Sequence, residues 1–192
     1  MENFINSYIS ALKSTLDNLD RKSIIKLVNL LKKASLEKKQ VFIFGNGGSA
    51  STASHFVCDI NKGASFQREL KHRVICLNDN IPTLLAYSND VGYDDVFVEQ
   101  LKNFLDDGDL VIGISGSGNS GNVIKAIEYA NTKGNVTIGI TGFNGGLLKE
   151  KAFYNINVPV ADMQIAEDIH LIVVHILLKT LNDIRFHDQK RK

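Results

Sequence analysis

The chain opens on a helical repeat of apolar positions. Phe4, Ile5, Tyr8, Ile9, Leu12, Leu16 and Leu19 recur at helical spacing, which predicts an amphipathic helix. After Asp20 a second helical set begins with Ile24, Ile25, Leu27, Val28, Leu30 and Leu31. The period then changes. Val41–Phe44 (VFIF) is an unbroken apolar run ending at glycines, the pattern of a strand buried on both faces. Helix is predicted from about Ser49 to Ile60, strand over 73–77 (RVICL), and helix over 82–87 and 96–105. The runs LVIGI (110–114) and VTIGI (136–140) read as further buried strands around a helix over 119–132. A short helix over 147–152, a last strand over 154–160 and a long helix from Met163 to about Asp183 complete the pattern. The polar tail over 187–192 is expected to fray.

Apolar strands alternating with helices predict an α/β fold with a five-stranded parallel sheet covered on both faces. No stretch has the composition of a linker, so residues 1–192 read as one domain, with helices over 1–38 and an α/β core over 39–185. The two leading helices have no strand between them. Their apolar stripe is expected to pack in an oligomer interface.

Charge narrows the partners. With 22 Lys and Arg against 21 Asp and Glu, the net charge of +1 excludes bulk attraction to nucleic acid or to an anionic membrane. The most apolar stretch, Leu171–Leu178, is broken by His175 and too short to span a bilayer. The start of the chain lacks a secretory pattern, and Cys58 and Cys76 lack metal-type spacing. A cytoplasmic protein with two buried, reduced thiols is expected.

Two loops carry the candidate chemistry. Gly45-Asn46-Gly47-Gly48-Ser49 follows the first strand and opens a helix. Ser115-Gly116-Ser117-Gly118-Asn119-Ser120 does the same after LVIGI. Loops at the carboxyl ends of parallel strands are where open α/β sheets bind ligands. Glycines admit close approach, helix N-termini offer free N–H groups, and serine hydroxyls add donors, so the pair suits a phosphate or a polyhydroxyl ligand. Neither loop is a Walker A motif. Glycines 116, 118 and 121 match G-x-G-x-x-G in number, but they follow a later strand and no acidic residue stands near the next strand end. No nucleotide cofactor is expected. Beyond the first loop, His55 and Asp59 lie four apart on one helical face. The last helix carries Glu167, Asp168, His170 and, within an apolar face, His175.

Together, GNGGSASTASHF, the Ser88-Asn89-Asp90 and GYDD segment, SGSGNS and the C-terminal EDIH….H helix resemble the phosphoheptose isomerases of the sugar isomerase (SIS) domain family. The resemblance covers nearly the whole chain. It implies a flavodoxin-like three-layer sandwich, a homotetramer, and the aldose–ketose interconversion of sedoheptulose 7-phosphate and D-glycero-D-manno-heptose 7-phosphate through an enediol. By the same resemblance Asn46, Gly47, Gly48, Ser49, Asn89, Asp90, Ser115, Ser117, Ser120 and Glu167 bind the sugar phosphate. His175, Asp59 and Glu167 handle protons, and His55, Asp59, Glu167 and His175 are candidate zinc ligands.

Several positions depart from the family pattern. Asp59 stands for a glutamate one methylene longer, Glu167 for a glutamine and Gly116 for a threonine, and Lys62-Gly63 replaces Gly-Arg. Glu167 and His175 lie about 12 Å apart along one straight helix. Both can reach one ion only if Glu167 precedes the helix or a neighbouring subunit supplies one of them. Two alternatives stay open. One is a non-catalytic SIS module that binds a sugar phosphate or a protein, like the relative that associates with the bacterial replication initiator. The other is an isomerase of another sugar phosphate.

Overall fold

The computed structural model describes residues 1–189, with side chains through Asp183. Strands β1 (Gln40–Gly45), β2 (Arg73–Cys76), β3 (Leu110–Ser115), β4 (Val136–Thr141) and β5 (Tyr154–Asn157) form one sheet in the order β2-β1-β3-β4-β5. Every pairing is parallel. All six residues of the central strand β3 are buried, as its unbroken apolar run requires. The last strand is shorter than its apolar pattern suggests, ending at Asn157.

Helices cover both faces. On one side α1 (Glu2–Asp17), α2 (Arg21–Leu36), α3 (Gly48–Cys58) and α8 (Met163–Gln189) enclose a core that includes Leu31, Ile43, Phe56, Ile112 and Val173. On the other, α4 (Ile81–Asp90), α5 (Val96–Phe104), α6 (Gly121–Thr132) and α7 (Gly146–Lys151) pack around Phe42, Phe44, Phe97, Val111 and Ile127. Phe44 stacks on Phe97 with ring centroids 4.8 Å apart.

The two leading helices behave differently from each other. α2 buries Leu27, Val28 and Leu31 and packs against β1, β5 and α8. It belongs to the core, not to a free interface. α1 leaves Phe4, Ile5 and Ile9 exposed. It is tied down by Tyr8, whose hydroxyl donates to Asp168 Oδ2 over 2.7 Å. That bond is the main reason the Tyr8 phenol is pushed up to about 12.

At the other end, α8 remains helical to Gln189, past the expected stop near Asp183. Residues 190–192 of the expected frayed tail lie outside the described residues. Cys76 is buried, and burial pushes its thiol up to about 12. Cys58 is exposed at the last turn of α3, contrary to the expectation from its apolar neighbours: Phe56 takes the buried side of that turn. No helix among the described residues is long and apolar enough to cross a membrane.

Ile112 sits at the centre of β3 with no exposed surface. Ile112→Ala should cost about 2–5 kcal/mol through lost transfer energy and a residual cavity. Urea unfolding would show this as a lower midpoint with an unchanged slope.

Candidate active site

The strand order reverses between β1 and β3, which lie side by side with Gly45 opposite Ile114. The two glycine–serine loops leave these two strands, so they meet at the switch point of the sheet. The first loop is pinned by Asn78, beyond β2: its side chain accepts from the Gly45 N–H (3.2 Å) and donates to the Gly45 carbonyl (2.8 Å). Ser49 is buried there, in the first turn of α3. In the second loop the Ser115 and Ser120 hydroxyls lie 2.9 Å apart, and Ser115 Oγ accepts the Gly118 N–H at 3.1 Å. The Ser117 hydroxyl accepts the Asn119 N–H at 3.2 Å.

Gly118 has φ +71°, and a Cβ there would run into the Gly145 carbonyl. The Gly118 carbonyl in turn accepts the Leu148 N–H at 2.8 Å. The second loop is thereby locked to the turn that begins α7. Gly116 is tight for another reason: a Cβ would overlap Met163 Sδ, at the first turn of α8. A thioether therefore lies where a side chain at 116 would begin.

The third component is the contact between α3 and α8. A Cβ on Gly48 would overlap the Glu167 carboxylate, so that carboxylate lies against the N-terminus of α3. Seven residues further along α3, His55 Nε2 lies 3.0 Å from His175 Nε2, eight residues beyond Glu167 on α8. Both contacts advance in the same sense, so the two helices run parallel.

α3 then widens into a π-helical turn, Asp59–Gly63, of the kind often found at functional sites. Asp59 Oδ2 lies 3.4 Å from His55 Nε2 and 3.9 Å from His175 Nε2. The two imidazoles are about half exposed (46% and 50%) and the carboxylate only 19%. Asp59 Oδ2 is itself buried and accepts no hydrogen bond among the described residues. His55, Asp59 and His175 can present ligand atoms all within 4.8 Å of one another.

Glu167 does not join them. α8 begins at Met163, so Glu167 is already helical and the helical rise sets it about 12 Å from His175. The four-residue metal set expected from the sequence therefore divides. Three residues converge, and Glu167 stands at the first loop. Asn89 and Asp90 close α4, both exposed, with Asn89 Nδ2 donating to Asp90 Oδ1 at 2.8 Å. Lys62 is exposed in the π turn.

Four contributors were not legible as such. Asn122 on α6 is 2% exposed and bonds to Asn46, and Tyr93 reaches the same Asn46 from the GYDD segment. Asn78 and Met163 act as described above. His170 is fully buried on α8, and neither ring nitrogen has a hydrogen-bond partner among the described residues. Burial holds its imidazole below the usual value of 6.5, and the nearby Thr141 backbone, outside full hydrogen-bond geometry, offsets only part of that.

Residues 3–142 match the SIS domain family. The phosphoheptose isomerase of Thermodesulfovibrio yellowstonii is 40% identical over 167 residues, covering 85% of this chain and 82% of its own. Among solved structures, the phosphoheptose isomerase of Neisseria gonorrhoeae superposes with a TM-score of 0.83 at 26% identity, covering 95% of this chain and 96% of its own. That of Francisella tularensis gives 0.87 at 24% identity over the same shares, a likeness of fold. The chain belongs to the SIS domain family and, within it, to the phosphoheptose isomerases.

Two expectations follow from the site's construction. Gly118→Ala should cost about 2–4 kcal/mol, from left-handed strain and a clash with backbone that cannot yield. A lower Tm together with lost sugar-phosphate binding would check it. For His170, the folded value lies below the unfolded 6.5. Its contribution to stability is complete above 6.5 and is lost as pH falls through the folded value. Urea midpoints measured at about pH 7.5 and about pH 5 should differ more in the natural protein than in a His170→Leu variant.

Proposed function

We propose that the protein is an aldose–ketose isomerase that interconverts sedoheptulose 7-phosphate and D-glycero-D-manno-heptose 7-phosphate. One observation carries this beyond the relatives' names. The head of α3, where the first loop meets the second at the switch point of the sheet, and the His55–Asp59–His175 cluster are separated by about 10 Å of helix. A seven-carbon chain with bonds of about 1.5 Å is long enough to run from the paired loops to that cluster. The substrate's two chemically distinct ends are matched by two distinct ends of the site.

The phosphate is assigned to the second loop, where Ser115, Ser117 and Ser120 cluster at the start of α6. The α6 N-terminus adds free N–H groups and the positive end of its dipole. A carboxylate stands near the head of each helix, Glu167 at Gly48 of α3 and Asp94 at Gly121 of α6, so the assignment rests on the three clustered serine hydroxyls of the second loop. Gly47, Gly48, Ser49, Asn89, Asp90 and Glu167 are assigned to sugar hydroxyls.

At the far end, the reaction removes a proton from C1 and leaves its electron pair in a C1=C2 enediol. The C2 oxygen gains a proton, the C1 hydroxyl loses one, and C2 is reprotonated. Groups serving adjacent carbons must lie within a few ångströms of each other, which favours Asp59 with His175 over Glu167. In the metal-free chain, Asp59 exchanges the carbon-bound proton and His175 Nε2 the oxygen-bound one. The cluster also fits zinc. The donor types are right, and the buried, unpartnered Asp59 Oδ2 is the atom a cation would satisfy. Held by His55, Asp59 and His175, zinc would supply polarisation of the substrate oxygens. Glu167 lies outside that ligand set.

We read the exposed α1 face, with Phe4, Ile5 and Ile9, as the contact of a homo-oligomer, a tetramer by family resemblance. The unpaired cysteines suit the cytoplasm.

Incubation with sedoheptulose 7-phosphate, following the aldose, tests the reading. His175→Ala should lose roughly a hundredfold or more in kcat. No turnover with or without added zinc would overturn the function, and undiminished turnover in the variant would remove His175 from the chemistry. Loss of activity on chelation would place the imidazole on the metal, because a ligating nitrogen has no lone pair left for a proton.

A further inference from the structure

Asn46 sits in a hydrogen-bond network whose polarity can be worked out completely. Asn122, buried in the first turn of α6, accepts the backbone N–H of Val123 on its Oδ1 at 2.9 Å. A backbone N–H can only donate, so the orientation of the Asn122 amide is fixed. Asn122 Oδ1 also faces Asn46, at 2.9 Å, and the group facing it must be the Asn46 Nδ2. The other half of the pair then follows: Asn122 Nδ2 donates to Asn46 Oδ1 at 3.0 Å. Tyr93 lies 2.8 Å from that same Oδ1, and because the atom is an oxygen the phenol must be the donor.

Counting lone pairs and hydrogens leaves one group open. Both acceptor sites of Asn46 Oδ1 are taken, by Asn122 and Tyr93. One of the two Nδ2 hydrogens is held by Asn122 Oδ1. The second has no acceptor among the described residues. Asn46 lies in the first glycine loop and is partly exposed. Tyr93 is 57% exposed and its hydroxyl bonds nothing else among the described residues.

We infer that Tyr93 and Asn122 are positioning residues that lock the Asn46 amide so that it offers a ligand one N–H donor and no acceptor. The loop therefore selects an oxygen with an available lone pair, a phosphoryl or hydroxyl oxygen, and cannot accept from a ligand N–H through Asn46. Asn122 sets the orientation and Tyr93 occupies the lone pair that would otherwise compete. The identity of the ligand rests on the isomerase reading; the locked amide does not.

The test uses Tyr93→Phe, which removes one hydroxyl from a largely exposed ring and should leave Tm unchanged. Sedoheptulose 7-phosphate affinity is measured by calorimetry in the natural protein, Tyr93→Phe, Asn46→Ala and the double variant. Tyr93→Phe should weaken binding roughly threefold to tenfold, because an Asn46 amide held by one bond fewer must be ordered when the ligand binds. In the Asn46→Ala background it should cost less than about twofold, because the effect passes through Asn46. An equal loss in both backgrounds, or none in the first, overturns the inference. Should the natural protein fail to bind the heptose phosphate, the isomerase reading falls and a second measurement decides. In nitrogen-15 spectra of the free protein, one Asn46 Nδ2 hydrogen should exchange with solvent several-fold more slowly than the other, and the difference should shrink in Asn122→Ala, which removes the oxygen that holds it. Equal exchange in the natural protein refutes the locked amide.

Discussion

The closeness of α3 to α8 is the constraint on which the site depends. The sequence of α3, GSASTASHFVC, is a poor helix former, rich in Gly, Ser and Thr. An isolated helix of this length and composition would not persist in water. It forms because Ala53, Phe56 and Ile60 at the start of the π turn are buried against the sheet and α8. Small residues do double duty here. They lower intrinsic propensity, and they allow the two backbones to approach until Glu167 lies on Gly48 and His55 meets His175. The Gly63–Leu178 contact continues the same seam one turn further.

That seam also orders the electrostatics. The chain is almost neutral, so an anionic substrate is not drawn by bulk charge. The donors present are neutral: serine hydroxyls, loop N–H groups and the starts of α3 and α6. The seam itself carries a carboxylate at the head of α3 and a carboxylate with two imidazoles two turns below, and the Asp94 carboxylate stands apart from it at the head of α6. The serine-bearing loops thus stand at the heads of α3 and α8, and the two imidazoles with Asp59 lie further along the same pair of helices.

Much of this was readable from the chain. Apolar runs such as LVIGI announce parallel strands, and glycine–serine clusters after them announce the ligand-binding edge. The i, i+4 pair His55 and Asp59 was visible as a shared face, and the structure adds His175 from 116 residues beyond Asp59, by difference of residue numbers. What was not legible were pairings that depend on how separate elements meet. Asn122 looks like any polar residue in the first turn of a helix. Its burial and its bond to Asn46 follow from β1 and β3 being neighbours, which the order of the chain does not state. The place of Glu167 was ambiguous for a related reason. Its distance from His175 hinged on where α8 starts, and element boundaries are set by packing more than by pattern.

Gly116 and Met163 carry a consequence for how this branch of the family can change. At the level of the sequence, glycine at 116 reads as a lost hydroxyl. In the folded chain it is one half of a fitted pair, since Met163 already fills the adjoining volume. Restoring threonine at 116 alone would meet sulfur, and shortening Met163 alone would open a gap beside the loop. The two positions are coupled through packing: a side chain at 116 requires the flexible end of Met163 to turn aside. A residue at the head of the last helix thus shares its volume with a loop 47 positions away, by difference of residue numbers, and a change in one is felt by the other.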